Sequence, residues 1–479
     1  MFTTYTYQDW MLLGSSGETA SLIVQRYRRS EFFRTALDNA MRFSGDNPEL
    51  AKKYRVQIQT TEKKDANGIV HKKAQRLNAP GYRIATSMLF RFVCQQVQYL
   101  LSNGVTLENA ETKARLGMGF DKALQEMDER AILQGVCYGY WNMDHVEILP
   151  AAVDKWSGTV ALLDEMTGGI GVVIQFWQLS SARPLYMRVF EADGLTVYST
   201  TRDGKIEVLY PKRAYKQQVI TDAIGERVVG EENYSRLPVI PMYANSEKRS
   251  EVTPSIRTKL DAYDRILSDF GDNLDRANDV YWVLNNFGGS TDQALQMIQE
   301  INELKIAMTV SDGMGNATAE PKTIEVPYTA RQVALELLEK ALYADFMAMS
   351  MDELTGGSLT NVAIQAAMTN LNLKCDRNEW HVFRFVQQIL ALIGVETEEI
   401  RFKRLQLTNR QETVQDIYTM RQDIDRRTAL KLNPYIDQEE IEDIIANVSA
   451  EEVSGQPSMD ALQRLLDDQG GDNGADDKQ

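Results

Sequence analysis

Cysteine is scarce in this 479-residue sequence, and so are long apolar runs. The three cysteines, Cys94, Cys137 and Cys375, lie too far apart to predict a disulfide framework or a CxxC metal knuckle, which is typical of a reducing cytosol. No apolar run approaches the roughly 18 residues of a membrane span, and the chain does not open with a basic segment followed by an apolar one. We therefore expect a soluble protein that is not exported and has no membrane partner.

Residues of the kinds that enzymes use are also few. His71, His145 and His381 are dispersed and form no HExxH pattern. The sequence has neither the phosphate-binding loop motif GxxxxGKS or GxxxxGKT nor the nucleophile motif GxSxG. The glycines of the segment 168–171 precede a strand but no helix follows, which favours a turn over a dinucleotide site. We expect no catalytic or metal-binding residue, no cofactor and no enzyme activity.

Acidic residues outnumber basic ones, with 68 Asp and Glu against 52 Lys and Arg and a formal net charge of -16. This balance argues against a protein that works by neutralising DNA phosphates, because such binding relies on Lys and Arg. The excess is uneven, since residues 405–479 contain 17 acidic and only 7 basic residues. Most of the negative charge therefore belongs to the last 75 residues.

Basic residues are concentrated between residues 51 and 92, where ten Lys and Arg accompany only two acids, Glu62 and Asp65. Asn67 and Gly68, in the middle of this region, are a hairpin turn signal. A solvated loop is the favoured interpretation. Contact with an acidic neighbouring subunit or with nucleic acid stays open as an alternative.

Six aspartates on one predicted helix suggest the main enzymatic alternative. Two-metal nucleases hold their ions with clustered carboxylates, whereas acids that repeat every few residues along a helix more often mark a solvated or subunit-facing side. The six are Asp261, Asp264, Asp269, Asp272, Asp275 and Asp279. We favour the second interpretation and keep a metal-dependent nuclease or hydrolase as the alternative.

Apolar spacing divides the first half of the chain into a helical and a β-rich part. Residues 19–42, 84–101 and 121–138 carry apolar side chains three and four positions apart, which predicts core helices. Residues 141–243 contain short β-rich runs separated by turn dipeptides such as Asp193-Gly194, which predicts antiparallel hairpins. The predicted strands cover residues 146–149, 160–163, 172–178, 186–190, 195–199, 206–210 and 218–221.

Two long helices with a small unit between them dominate the second half. The first follows Thr253 and Pro254, an N-cap and first-turn pair, and is predicted to extend to residue 284, a length of about 45 Å. The second is predicted from Thr329 to about residue 350. The other predicted elements are a helix over 291–304, strands over 305–311, 322–327 and 400–407, a polar loop over 351–360, helices over 361–393, 410–430 and 438–447, and a disordered acidic tail from residue 456.

Each long helix has an apolar stripe and a charged remainder, so the pair cannot bury its surfaces alone. Packing beside identical copies is a natural solution, and a closed ring is the symmetric form of repeated head-to-tail contacts.

Several segments then resemble a known family. Residues 236–275, RLPVIPMYANSEKRSEVTPSIRTKLDAYDRILSDFGDNLD, resemble the portal proteins of tailed double-stranded DNA bacteriophages, where a strand with a PVIP pattern leads into a helix with an acidic DAYD pattern. Residues 44–50, 99–107 and 123–141 support the siphophage-type portal family in the same order. The resemblance spans roughly residues 30–400.

The resemblance implies an α+β portal fold with named parts. The wing would comprise residues 1–250 and 361–404, and the stem residues 251–286 and 329–350. The clip would comprise residues 287–328, the channel loop residues 351–360 and the crown residues 405–455. The acidic tail, residues 456–479, has no assigned role.

The resemblance also implies a function. Such proteins form a ring, usually of twelve copies, at one capsid vertex of the virion, and double-stranded DNA is packaged and ejected through its channel. Implied partners are the terminase large subunit, a head-completion or adaptor protein, and the major capsid and scaffolding proteins, with assembly in the host cytoplasm. A sparsely basic channel suits a conduit that must not hold DNA. Another oligomeric capsid or tail protein stays as a further alternative.

Three sets of residues are expected to carry this function. The channel loop that would face DNA consists of Met351, Asp352, Glu353, Leu354, Thr355, Gly356, Gly357, Ser358 and Leu359, and its two glycines would give backbone freedom. The stem cations expected near DNA are Lys259, Arg265 and Arg276, with pairing to aspartates of a neighbouring subunit as the alternative. The clip residues expected to dock partners are Gln293, Gln296, Glu300, Asp312, Met314 and Asn316.

Overall fold

The computed structural model combines helices and sheets, which confirms the α+β class. It describes residues 4–53, 57–64, 70–77, 82–201, 203–222, 225–277, 280–285, 318–323, 328–350, 360–395, 398–405, 409–420, 423–436 and 441–453. The chain divides into two compact units. One contains Met1–Ala348 and Leu371–Leu405, and the other contains Met349–Asn370 and Gln406–Gln479.

Four helices open the chain, and serine N-caps begin the second and the third. They are α1 (Tyr7–Leu12), α2 (Gly17–Arg28), α3 (Glu31–Phe43) and α4 (Pro48–Lys53). The Ser30 hydroxyl accepts a hydrogen bond from the Phe33 N–H at 3.1 Å, and its extended backbone stops the preceding helix. The continuous helix predicted over residues 19–42 is therefore wrong, because this cap divides it into α2 and α3.

A hairpin follows α4. Strands β1 (Gln57–Lys64) and β2 (Val70–Leu77) pair antiparallel, with Lys64 opposite Val70. This pairing agrees with the hairpin turn signal, although the turn residues Asn67 and Gly68 themselves lie outside the described residues.

The next helices form the core of the first unit. They are α5 (Met88–Leu101), α6 (Ala110–Arg115) and α7 (Phe120–Gln134), with strand β3 (Val105–Leu107) between α5 and α6. Helix α7 ends at Gly135, whose φ of 91° is the left-handed conformation that terminates helices. The helix predicted to reach residue 138 is wrong at this end, because residue 136 already belongs to a strand.

The predicted antiparallel β module is confirmed. Its strands are β4 (Val136–Asn142), β5 (His145–Pro150), β6 (Ala152–Asp154), β7 (Ser157–Leu163), β8 (Ile170–Trp177), β9 (Tyr186–Glu191), β10 (Gly194–Thr200), β11 (Ile206–Arg213), β12 (Lys216–Asp222), β13 (Gly225–Glu232) and β14 (Val239–Tyr243). Six of them form one sheet in the order β11-β10-β9-β8-β7-β6, and three form a second sheet in the order β14-β4-β5. Helix α7 packs against β4, β5 and β14.

The long helices that follow are shorter than predicted. Helix α8 (Pro254–Ala277) precedes strand β15 (Val280–Asn285), which pairs antiparallel with β16 (Thr318–Thr323), and helix α9 (Tyr328–Phe346) comes next. The prediction of one helix to residue 284 is wrong because Val280, Tyr281, Trp282 and Val283 are β-branched or aromatic residues that favour strands. The predicted strand over 322–327 starts four residues earlier and ends at Thr323.

The remaining elements complete both units. Helix α10 (Asn361–Leu392) is followed by strand β17 (Ile400–Phe402), which pairs with β3, and by helices α11 (Arg410–Thr419), α12 (Arg426–Leu432) and α13 (Ile441–Val453). The strand predicted over 400–407 is thus only three residues long. The helix predicted over 410–430 is interrupted because Asp425 caps α12 by accepting the Thr428 N–H at 3.0 Å. No helix in the described part of the chain is long and apolar enough to cross a membrane.

Candidate functional site

Helices α8 and α9 form an antiparallel pair. At one end, the Lys259 ammonium lies 2.5 Å from the Asp345 carboxylate, and the Ser255 hydroxyl donates to the same carboxylate at 3.1 Å. At the other end, the Phe270 and Tyr328 rings meet edge to face with centroids 5.9 Å apart. The pair continues beyond this end as the β15–β16 ladder, so the two long elements stay side by side over both helix and strand.

The aspartates of α8 anchor this helix to its own chain. Arg42 of α3 makes a bidentate pair with Asp261, with both N–O distances at 3.0 Å. The Asn47 amide bridges Asp261 and Asp264 at 3.0 and 2.8 Å. Asp272 accepts the Tyr82 N–H at 2.9 Å. The expectation of a solvated side is therefore wrong for Asp261 and Asp264, which are largely buried, and stays a prediction for half-exposed Asp272.

Asp264 is the most enclosed of these carboxylates. Burial raises its pKa to about 6, although hydrogen bonds from Asn47 and from the Thr86 N–H oppose the shift. Neighbouring Ser268 is also buried, and its hydroxyl accepts the Ile84 N–H at 2.9 Å. These contacts give α8 a fixed rotation about its axis relative to residues 82–86. Within the described ranges, no three or more His, Cys, Asp or Glu side chains form a group that could hold a metal ion.

The three predicted stem cations have different surroundings. Lys259 is paired with Asp345 of its own chain. Arg265 is exposed on α8 and makes no ion pair with a described residue. Arg276 belongs to the last turn of α8, and its side chain lies outside the description. Half-buried Arg257 also makes no ion pair with a described residue, so Arg265 is the exposed one of the two described cations on α8 that lack an ion pair.

The other predicted site residues lie outside the described residues. These are the channel-loop set Met351, Asp352, Glu353, Leu354, Thr355, Gly356, Gly357, Ser358 and Leu359, and the clip set Gln293, Gln296, Glu300, Asp312, Met314 and Asn316. Both sets stay predictions.

A largely buried lysine on α10 joins the ends of both helices of the pair. The Lys374 ammonium is 3.1 Å from the carboxylate of Glu251, three residues before α8, and donates to the Phe346 carbonyl at 2.8 Å. It also lies 3.2 Å from the centre of the Phe346 ring. Because the last carbonyls of a helix lack partners within it, Lys374 caps α9 and holds the entry to α8 at the same time.

A second buried contact lies one turn further along α10. The Asn378 amide donates to both oxygens of Asp128 on α7, at 2.9 Å each, and both residues are almost completely buried. Burial raises the pKa of Asp128 to about 7, with Glu251 and Glu129 raising it further and Lys374 opposing. We call Asp128, Glu251, Phe346, Lys374 and Asn378 the anchor cluster, because they connect α7, α8, α9 and α10.

The Asp128 carboxyl makes the stability of this unit pH-dependent. The folded chain holds its proton more tightly than the unfolded chain, whose Asp titrates near 3.8. We therefore expect Asp128 to lower the free energy of unfolding as the pH rises from about 4 to about 7, by about 1.4 kcal/mol per pH unit. Asp128→Asn should remove this contribution and leave only the fall that Asp264 causes below about pH 6. At pH 8 it should stabilise the protein, since its new amide can donate to the otherwise unpartnered Asn378 Oδ1.

Urea unfolding at a series of pH values measures this slope. Glu126→Gln, a change to an exposed residue of the same helix, should retain the wild-type slope. If Asp128→Asn kept the full slope, a different group would be responsible and the assignment to Asp128 would be wrong.

Sequence reasoning missed the anchor cluster. Its members come from four separate places in the chain, and none belongs to a motif with fixed spacing. The one available signal is Lys374 itself, a charged residue between Leu371 and Cys375 on the apolar side of a long predicted helix. A charge in such a position predicts a buried partner, but the sequence does not identify it.

One side of α9 exposes apolar residues. Val333 and Leu337, one turn apart on the same side of the helix, are 47% and 63% exposed. Tyr328 on α9 and Leu274 on α8 are exposed as well. The helix pair therefore presents apolar surface that its own unit does not cover.

Comparisons with known proteins agree on one family. A family model described as phage portal protein, SPP1 Gp6-like, matches residues 48–452. A portal protein of Clostridium phage phiCD119 is 26% identical over 189 residues, which are 38% of this chain and 40% of that protein. A portal protein of Bacillus phage SPP1 is 24% identical over 257 residues, 50% of this chain and 48% of that protein. The matches thus span less than half the length of each of these relatives.

Proposed function

Because this chain belongs to the SPP1 Gp6-like family of phage portal proteins, we propose that its copies form a closed ring at one capsid vertex. Double-stranded DNA would enter the capsid through the channel of this ring, be retained there and later leave by the same route. The protein would be a component of the virion and would be assembled in the host cytoplasm.

The exposed apolar side of the α8–α9 pair is the observation that carries this proposal beyond family membership. The exposed side chains of Val333 and Leu337 become buried only if another surface covers them. A neighbouring copy of the same helix pair is the partner that symmetry supplies, and repeated head-to-tail contacts close into a ring. In this arrangement α8 and α9 are the stem that surrounds the channel.

The charges of α8 suit weak contact with DNA. Lys259 is paired with Asp345, and Asp261 is paired with Arg42. The charges of Lys259 and Asp261 are therefore already neutralised within one chain. Arg265 would be left to touch the phosphate backbone in passing, joined by Arg276. A few such contacts per subunit keep DNA binding weak and reversible, since affinity grows with each phosphate that is neutralised.

The remaining parts take the roles that the family suggests. Residues 287–328 would be the clip that docks the terminase large subunit during packaging and a head-completion or adaptor protein afterwards. Residues 351–360 would line the channel as a loop. Residues 1–250 and 361–404 would form the wing, residues 405–455 the crown, and the wing would contact the major capsid and scaffolding proteins.

The native mass of the purified protein tests the ring. A ring of twelve chains of 54.3 kDa should have a mass of about 650 kDa by light scattering and show a central hole in negative-stain images. A persistent monomer or dimer that cleaves DNA in the presence of Mg²⁺ would contradict the proposal and favour the nuclease alternative. A stable oligomer without a central opening would favour another capsid or tail component.

A further inference from the structure

A concave pocket in the first unit is lined by basic side chains. It has a volume of about 540 Å³ and lies between strand β14, the residues that follow it, the β7–β8 turn and helix α10. Its basic lining residues are Arg236, Lys248, His381 and Arg384, and none of the described lining residues is a carboxylate. In a chain with a net charge of -16, a pocket of this composition favours an anionic ligand. We call it the basic pocket.

The loop at one rim holds Lys248 in a strained conformation. Lys248 has a φ of 55°, in the left-handed region that residues other than glycine rarely adopt. The Asn245 side chain fixes this turn, because its amide donates to the Arg249 carbonyl at 2.7 Å and its oxygen accepts the Arg249 N–H at 3.1 Å. The Lys248 ammonium lies 4.8 Å from the centre of the Tyr243 ring. Strain of this kind is concentrated at binding sites.

Helix α10 supplies the opposite wall. Trp380 is 58% exposed and stacks on Phe383, with centroids 5.6 Å apart and planes 12° apart. Arg384 and, across the pocket, Arg236 make no ion pair with a carboxylate in the described part of the chain. The nearby Glu247 faces Arg377 at 3.9 Å. Burial and the neighbouring Arg384 and Arg377 lower the pKa of His381, so its imidazole is neutral at pH 7.

The floor of the pocket is an edge strand that resists pairing with another strand. Strand β14 pairs with β4 on one side only. The Pro238 carbonyl accepts the Trp141 N–H at 2.8 Å, and Ile240 lies opposite Gly139. Because backbone groups alternate along a strand, Pro241 lies at a position directed to the open edge, where it has no N–H to donate. Side chains rather than an added strand must therefore recognise the ligand.

We propose that the basic pocket binds an acidic peptide segment of a partner protein, with carboxylates spaced among apolar side chains. Arg236 and Arg384 can each bind a carboxylate in a bidentate manner. Trp, Tyr and Arg, which line this pocket, are the residues that dominate binding energy at protein interfaces. The apolar lining residues Ile170, Leu237 and Val239 match apolar peptide side chains and have no use in contacting DNA phosphates.

Short synthetic peptides of graded net charge, immobilised as an array, provide the test with the full-length protein. At physiological ionic strength, bound sequences should be enriched in Asp and Glu. The best binder, measured in solution by fluorescence anisotropy, should lose affinity about tenfold or more in Arg384→Glu and in Lys248→Gly. Glycine accepts the left-handed backbone at position 248, so Lys248→Gly removes the ammonium without straining the loop.

Lys122→Glu, the same charge change at an exposed residue of α7, is the matched control and should bind like the wild type. Bound peptides without acidic enrichment, or an affinity that Arg384→Glu leaves unchanged, would overturn the proposal. A short DNA duplex serves as the competing probe. If the duplex bound in an Arg384-dependent manner while acidic peptides did not, the pocket would be a nucleic-acid site and the peptide proposal would fail.

Discussion

Lys374→Met is expected to lower the free energy of unfolding by about 3 kcal/mol or more. The substitution leaves the Glu251 carboxylate, only 15% exposed, without its cation, and it removes the donor that caps α9 at the Phe346 carbonyl. Methionine fills a similar volume, so the loss arises from the uncompensated charge rather than from a cavity. Urea unfolding followed by tryptophan fluorescence measures the effect.

Two further variants test whether the loss of stability comes from the unpaired Glu251 carboxylate or from the loss of any lysine charge. Lys340→Met changes an exposed lysine of α9 and should alter stability by no more than about 0.5 kcal/mol. The double variant Lys374→Met with Glu251→Leu should recover most of the lost stability, because apolar residues often replace a buried ion pair without cost. If Lys374→Met and Lys340→Met were equally stable, the anchor cluster would not hold the helices as described.

Leu337→Asp is expected to abolish ring assembly while each chain stays folded. Leu337 is 63% exposed in the single chain, so aspartate costs the isolated chain little. In a ring, burial of the leucine would contribute roughly 1.5–3 kcal/mol at each contact, and a buried carboxylate without a partner would oppose association further. Light scattering should therefore show monomers of 54.3 kDa in place of the ring.

Leu337→Met is the conservative control and should assemble like the wild type, because it keeps the apolar surface and a similar volume. The thermal unfolding of Leu337→Asp should match that of dissociated wild-type chains. Rings of unchanged mass from Leu337→Asp would show that this side of α9 faces solvent in the assembly, and the contact between copies would have to be sought elsewhere.

Local patterns predicted much of the fold. The hairpins of the β module follow alternation and turn dipeptides that act over a few residues, which is why strands such as β9 and β10 lie where they were expected. The ends of helices and strands were predicted less accurately, because a single residue can decide where an element ends. Gly135 ends α7 three residues before the predicted end, and Ser30 divides one predicted helix into two.

The contacts between distant parts of the chain could not be predicted from the sequence. Spacing showed that α8 carries many aspartates, but it could not show that Arg42, Asn47 and Tyr82 occupy three of them. Asp128 and Lys374 lie on separate helices, and only the fold brings their surroundings together. The spacing of the carboxylates therefore predicted a side of α8 that faces outward. In the structure, Asp261, Asp264 and Asp272 instead make hydrogen bonds that connect α8 to its own unit.

The ladder between β15 and β16 also has a mechanical consequence. Six residue pairs connect the two strands, and both strands leave the helix pair at the same end. A force applied evenly to the segment between Asn285 and Thr318 would pull both strands in the same direction, so it would neither shear nor unzip the ladder. Tension would pass along the two neighbouring backbones into α8 and α9, where the salt bridges of Asp261 and Lys374 connect the helix pair to the rest of the unit.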